Sequence, residues 1–145
     1  MKNVLITGGS RGIGASTALK CAQLGYRVIL TWNSHPEAAI SVVERIEAED
    51  GEAVALQLDV GNTLSFKRFR SELEQVMHSR WQDDGLDGLV NNAGYGLFNP
   101  IETVTEDQFD GLMNVHLKGP FFLTQTILPL LRRDACIINM TSATT

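Results

Sequence analysis

What this sequence is short of narrows it first. It carries two cysteines in 145 residues, Cys21 and Cys136. They lie far apart and inside apolar segments, which excludes the disulfide framework that staples small secreted domains. Both are expected to be small buried hydrophobes in a reducing, cytoplasmic setting. Basic residues number 12 against 17 acidic ones, a net charge of −5, and no run of Lys or Arg occurs. Nucleic acid and anionic membranes are bound through clustered positive charge, so neither is an expected partner. The longest nearly uncharged stretch, 119–131, is too short to span a bilayer and contains Gln125 and Pro129. The opening Met1-Lys2-Asn3-Val4 runs into a strand-like apolar segment ending in Thr7-Gly8-Gly9, with no small-residue cleavage site of a signal peptide. His35, His78 and His116 are scattered, so no metal site is expected; a local hydrogen-bonding role is expected for His116.

Repeats, low-complexity tracts and flexible linkers are missing too, which leaves a single domain over residues 1–145. The 43% hydrophobic and 20% charged fractions are those of a globular chain rather than a disordered one. Strand-like and helix-like segments alternate. Strands are predicted at 2–7, 27–32, 53–58, 86–90 and 136–140, each an apolar, β-rich run. Helices are predicted between them: 13–24 closed by Gly25; one after a Ser34-x-x-Glu37 capping box, with Ala39, Val43 and Ile46 on one face; one capped by Asn62, with Phe66, Phe69, Leu73, Val76 and Met77 three or four residues apart. A second capping box, Thr105-x-x-Gln108, precedes Phe109, Leu112 and Met113, and 121–131 reads as a strongly apolar helix. Asp83-Asp84 before Gly85 marks a turn, with Trp81 packed under it. Such alternation predicts an α/β fold: a doubly wound parallel sheet of about five strands with helices on both faces.

The segment richest in information is Thr7-Gly8-Gly9-Ser10-Arg11-Gly12-Ile13-Gly14, between the first strand and first helix. Glycine lets the backbone turn tightly and approach a ligand, and the following helix aims free N–H groups and its positive dipole end into the turn, which suits a pyrophosphate. The spacing is Gly-x-x-x-Gly-x-Gly. It is neither the G-x-G-x-x-G fingerprint nor a Walker loop.

Thr-Gly-x-x-x-Gly-x-Gly at the end of a first strand resembles the nucleotide signature of the short-chain dehydrogenases/reductases. Further matches follow in that family's order: Leu58-Asp59-Val60 after the third strand, Asn91-Asn92-Ala93-Gly94 after the fourth, Asn114 in 113–119, and Ile137-Ile138-Asn139-Met140-Thr141-Ser142 at the fifth. The resemblance, which extends to 3-oxoacyl-[acyl-carrier-protein] reductases, implies a Rossmann-type domain that moves hydride between a nicotinamide and a ketone or alcohol. It implies cofactor contacts from Gly8, Ser10, Arg11, Gly12, Ile13, Gly14, Asn33, Asp59, Val60, Asn91, Ala93 and Gly94. Asn114 would anchor a water of the proton relay and kink its helix, and Ser142 would polarise the carbonyl. It also implies a homo-oligomer, with the apolar helix 121–131 among the contacts.

An NAD-preferring domain places a carboxylate at the end of the second strand to bind the ribose 2′-hydroxyl. Here that position reads Thr31-Trp32-Asn33-Ser34, and Arg11 is the nearest fixed positive charge. A carboxylate repels a 2′-phosphate whereas a guanidinium bonds one, so NADP(H) is expected over NAD(H), with Ser10, Arg11 and Asn33 around the phosphate.

The family's general acid is a tyrosine followed four residues on by a lysine. Tyr26 and Tyr95 are the two tyrosines here, and Leu30 and Asn99 stand where that lysine would be. We therefore expect a piece of a longer enzyme, cut after the fifth strand with that strand left at a sheet edge. The alternative is a non-catalytic NADP(H)-binding module. A flavin-binding protein is disfavoured by the 91–94 signature.

Overall fold

The computed structural model describes residues 1–142. Five strands, β1 (Lys2–Ile6), β2 (Tyr26–Trp32), β3 (Ala53–Gln57), β4 (Leu86–Asn91) and β5 (Leu131–Asn139), form one sheet in the order β3-β2-β1-β4-β5. Every pairing is parallel. The chain winds from β1 out to β3, then returns to the other side of β1, so the winding direction reverses between β1 and β4. Clefts open at such a reversal, beyond the carboxyl ends of the strands.

Successive strand residues point to opposite faces, and each face has its own apolar set. Val4, Ile6, Val28, Leu30 and Val90 pack with Ala18 of α1 (Gly12–Gln23) and with Ala39, Val42 and Ile46 of α2 (Pro36–Glu47). On the opposite face, Leu5, Ile29 and Leu89 meet Phe66, Phe69, Leu73, Met77 and Trp81 of α3 (Phe66–Trp81) and Leu123 and Ile127 of α5 (Gly119–Ile127). The short α4 (Glu106–Met113) buries no residue. It opens with the expected capping box: the Thr105 hydroxyl accepts the Gln108 N–H, and the Gln108 side chain accepts the Thr105 N–H. Gly25, at φ +84°, closes α1 in the left-handed region that a Cβ disfavours.

Four local expectations are corrected. Ser34 does not cap α2; His35 stands at that position without a side-chain bond, and the helix begins at Pro36, whose fixed φ suits a first helical residue. On that helix Val43 packs on the same face as Ala39 and Ile46, as expected, and Val42 is buried there as well. Asn62 caps nothing with its side chain; its backbone carbonyl accepts the Ser65 N–H and hydroxyl through a tight turn, Thr63–Ser65, that leads into α3. The apolar helix ends at Ile127 instead of running to 131. Pro129 removes a backbone donor, a tight turn (Leu128–Leu130) replaces the helix, and β5 begins at Leu131, well before Cys136. Apolar periodicity alone does not separate these outcomes. Cys136 is also exposed rather than buried, and Cys21 is half-buried.

At the amino ends of the strands, polar groups tie the sheet together. Fully buried Asn3 donates its N–H to Asp87 Oδ2 at 2.8 Å and its side-chain amide to the Gly85 carbonyl at 2.8 Å. Arg132 bridges Asp87, at 2.6 Å, and Asp83. The Arg27 guanidinium lies 5.5 Å from the centre of the Trp81 ring. Asp83 is thus more than the turn residue expected. Burial pushes its pKa up, but the Gly85 N–H and the Arg132 charge outweigh that and hold it below the ordinary carboxylate value.

Candidate functional site

At the opposite end of the sheet, β1 finishes in a buried threonine that fastens two loops together. The Thr7 hydroxyl accepts the N–H groups of Asn92 and Ala93, both at 3.0 Å. The Asn92 side-chain amide donates back to the carbonyls of Thr7 and Gly8, at 3.0 and 3.1 Å. From the other side, the Gly8 N–H reaches the Thr31 hydroxyl at 3.1 Å and the Gly9 N–H reaches the Thr31 carbonyl at 3.0 Å. The glycine loop is therefore held between the ends of β2 and β4. Gly8 and Gly14 are among the glycines required by contact. A Cβ on Gly8 would lie 2.8 Å from the Ala93 Cα, and one on Gly14 would lie 2.2 Å from the Gly8 carbonyl oxygen. Gly12 differs: its φ is +56°, and nothing lies within 4 Å of where its Cβ would be. That open space lies at the amino end of α1, whose first N–H groups have no intrahelical acceptor.

The resulting cleft has a volume of about 660 Å³. It gathers Gly8, Ser10, Arg11 and Ile13 from the first loop, Asn33 after β2, Asp59 and Val60 after β3, and Ala93 and Gly94 after β4. Exposed Arg11 lines the cleft together with Asn33 and His35, and no carboxylate stands at the end of β2. Asp59 is held in a tight turn by the Gly61 N–H at 2.9 Å. Open space over Gly12, unpaired helix N–H groups and a cation near the end of β2 together fit a phosphorylated dinucleotide.

The remaining expected residues fall elsewhere. Gly12 and Gly14 shape the loop without lining the cleft. Asn91 turns its side chain away from the cleft, donating to Asn139 Oδ1 at 2.8 Å and to the Thr124 hydroxyl at 3.4 Å, and so ties β4 to β5. Ser142 is exposed beyond the end of β5. Asn114 opens a wide helical turn, Asn114–Lys118, that separates α4 from α5, and it is half-buried outside the cleft lining. This is the irregularity the sequence reading placed at Asn114; wide turns of this kind concentrate at functional sites. The turn meets the cleft through other members. Val115 lines it, and His116 Nε2 lies 2.8 Å from the Tyr95 carbonyl oxygen and 3.2 Å from the Tyr95 nitrogen. Sequence reasoning assigned no cleft role to Thr7, Thr31 or Asn92. Their placement depends on contacts between distant segments, although Asn92 stood within a recognised signature.

Residues 2–145 match the family model of the short chain dehydrogenases, and the chain belongs to that family. Among its curated relatives is the 3-oxoacyl-[acyl-carrier-protein] reductase of Staphylococcus epidermidis, 36% identical over 97% of this chain and 56% of the relative. A probable tetrahydroxynaphthalene reductase of Zymoseptoria tritici is 34% identical over 99% of this chain and 51% of its own length. The chain thus spans about half the length of the curated relatives it matches. Among solved structures, the angucycline C-6 ketoreductase LanV with bound NADP superposes with a TM-score of 0.94 at 35% identity, over 97% of this chain and 55% of that one. A short chain dehydrogenase of Burkholderia cenocepacia in complex with NADP gives 0.84 at 32% identity, over 94% and 53%.

Proposed function

We propose that this chain provides the cofactor cleft of an NADP(H)-dependent oxidoreductase that moves hydride between a nicotinamide and a ketone or alcohol. The observation that carries the reading is the single cleft in which the glycine loop, Arg11, Asn33, Asp59 and Ala93–Gly94 converge. Bound there, the cofactor supplies the hydride; the protein supplies placement and charge. The amino end of α1 receives the pyrophosphate. Ser10, Arg11 and Asn33 hold the 2′-phosphate, Asp59 and Val60 the adenine, and Ala93 and Gly94 the nicotinamide side. Ser142 hydrogen-bonds the substrate carbonyl, and Asn114 holds a water of the proton relay. NADP-bound structural relatives support the cofactor, and the absence of a carboxylate at 31–34 supports its phosphorylated form. Exposed Phe109, Leu117 and Phe121, along α4, the wide turn and α5, support assembly with a second copy.

The test is Arg11→Ala, read by titration with NADPH and with NADH. Loss of a charge-assisted bond weakens NADPH by about 1.5–3 kcal/mol and leaves NADH unchanged; equal loss for both refutes the phosphate assignment.

A further inference from the structure

The cleft wall past β4 is held from outside the sheet, by one imidazole. Gly94 and Tyr95 line that wall. A Cβ on Gly94 would lie 2.5 Å from His116 Cε1 and 3.1 Å from Nδ1, so the ring occupies the space a side chain at 94 would need. His116 Nε2 stands 2.8 Å from the Tyr95 carbonyl oxygen and 3.2 Å from the Tyr95 nitrogen. The two rings lie 5.8 Å apart, tilted by 48°. The Tyr95 hydroxyl in turn reaches α4, where a Cβ on Gly111 would lie 2.7 Å from it.

We propose that His116 is a positioning residue that sets the Gly94–Tyr95 wall on the nicotinamide side of the cleft. The inference rests on the dinucleotide reading above. In a doubly wound sheet the two halves of the cofactor lie on opposite sides of the winding reversal. Arg11, Asn33 and Asp59 mark the β2–β3 side as the adenosine half, which leaves the wall after β4 for the other half. One ring nitrogen faces both the backbone N–H and the backbone carbonyl of Tyr95. A lone pair on Nε2 accepts the N–H, whereas a proton on Nε2 donates to the carbonyl, so the tautomer decides which group is bonded. The same ring belongs to the wide turn that begins at Asn114. Movement of the wall is thereby coupled to movement of that turn.

The experiment compares two ligands on the full chain by isothermal titration. NADPH spans both halves of the cleft, and adenosine 2′,5′-bisphosphate carries the adenosine half and the 2′-phosphate alone. His116→Ala is expected to weaken NADPH about fivefold, the worth of one hydrogen bond, while the bisphosphate binds as it does to the unmodified chain. His116→Gln, whose amide nitrogen reaches the place of Nε2, restores most of that loss. Gly94→Ala displaces the ring and gives a comparable loss, and adding it to His116→Ala costs little more, since the two act on one contact. Imidazole nitrogen resonances of His116 shift with NADPH and stay fixed with the bisphosphate. NADPH affinity unchanged in His116→Ala overturns the proposal and leaves the cofactor reading standing. Equal weakening of both ligands also overturns it, because it shows general loosening of the fold. Failure of the unmodified chain to bind either ligand removes the cofactor reading, and this inference with it.

Discussion

β2 and β5 are parallel strands of the same sheet, built from similar apolar residues, in opposite surroundings. β2 lies between β1 and β3, under α1 and α2 on one face and α3 on the other, and Val28, Ile29 and Leu30 are all at 0% exposure. β5 pairs with β4 alone among the described residues, and its Ile137 and Ile138 are 41% and 47% exposed. A β-branched side chain stabilises a strand through what packs against it, so identical residue types contribute unequally at the two places. What fastens β5 is polar: Arg132 to Asp83 and Asp87 at its start, Asn139 to Asn91 at its end. Between them the register shifts, Leu131 facing Leu86 and Cys136 facing Gly88. An apolar edge held by polar ties is also a template for further pairing.

The widest gap between the two strands should appear on truncation. Ile29→Ala removes side-chain volume from a site that cannot collapse and is expected to cost about 2–5 kcal/mol, read from the urea midpoint. Ile138→Ala is expected to cost below about 1 kcal/mol. Equal costs would show that β5 is covered in solution, and the contrast would collapse. The next effect is Asn91→Ala, which removes the bonds of the buried Asn91 to Asn139 and Thr124; Asn139 is exposed and bonds water instead, so the cost is about 0.5–1.5 kcal/mol. An Asn91→Ala variant as stable as the unmodified chain would mean that β5 is not fastened there.

The sheet and its helices were legible in the sequence because the strands are short apolar runs bounded by turn residues, and because Gly25 and the Thr105-x-x-Gln108 box punctuate helices locally. The end of α5 was not. Residues 121–131 are apolar apart from Thr124, Gln125 and Thr126, and beyond Ile127 only the proline distinguishes a helix from a turn followed by a strand. The cleft divides in the same way. Ser10, Arg11, Asn33, Asp59 and Gly94 lie in or beside glycine or strand-end signals that can be read in one dimension. Thr31, Asn92, Tyr95 and His116 act through partners 21 to 85 residues away, and no local pattern announces such a pairing.

The smallest effect concerns the start of β5, where charge rather than area makes the attachment. Asp83 accepts the Gly85 N–H at 3.2 Å and faces Arg132 and Arg27, the latter at 3.8 Å. Its folded-state pKa lies below its unfolded one, so the unfolded chain binds the proton more readily. The resulting stability is present above the unfolded value, about 4, and is lost as pH falls through the lower folded one. Asp83→Asn should therefore destabilise the chain at neutral pH by below about 1 kcal/mol, since Arg132 is partly exposed. The same variant should flatten the decline in stability below about pH 4. Hydrogen exchange at the amides of 131–139 locates the effect. Faster exchange there at about pH 2 than at pH 7, after correction for intrinsic rates, together with no acceleration in β2, is the expected pattern. Uniform acceleration across both strands would assign the charge cluster to the whole sheet and remove the distinction between its two sides.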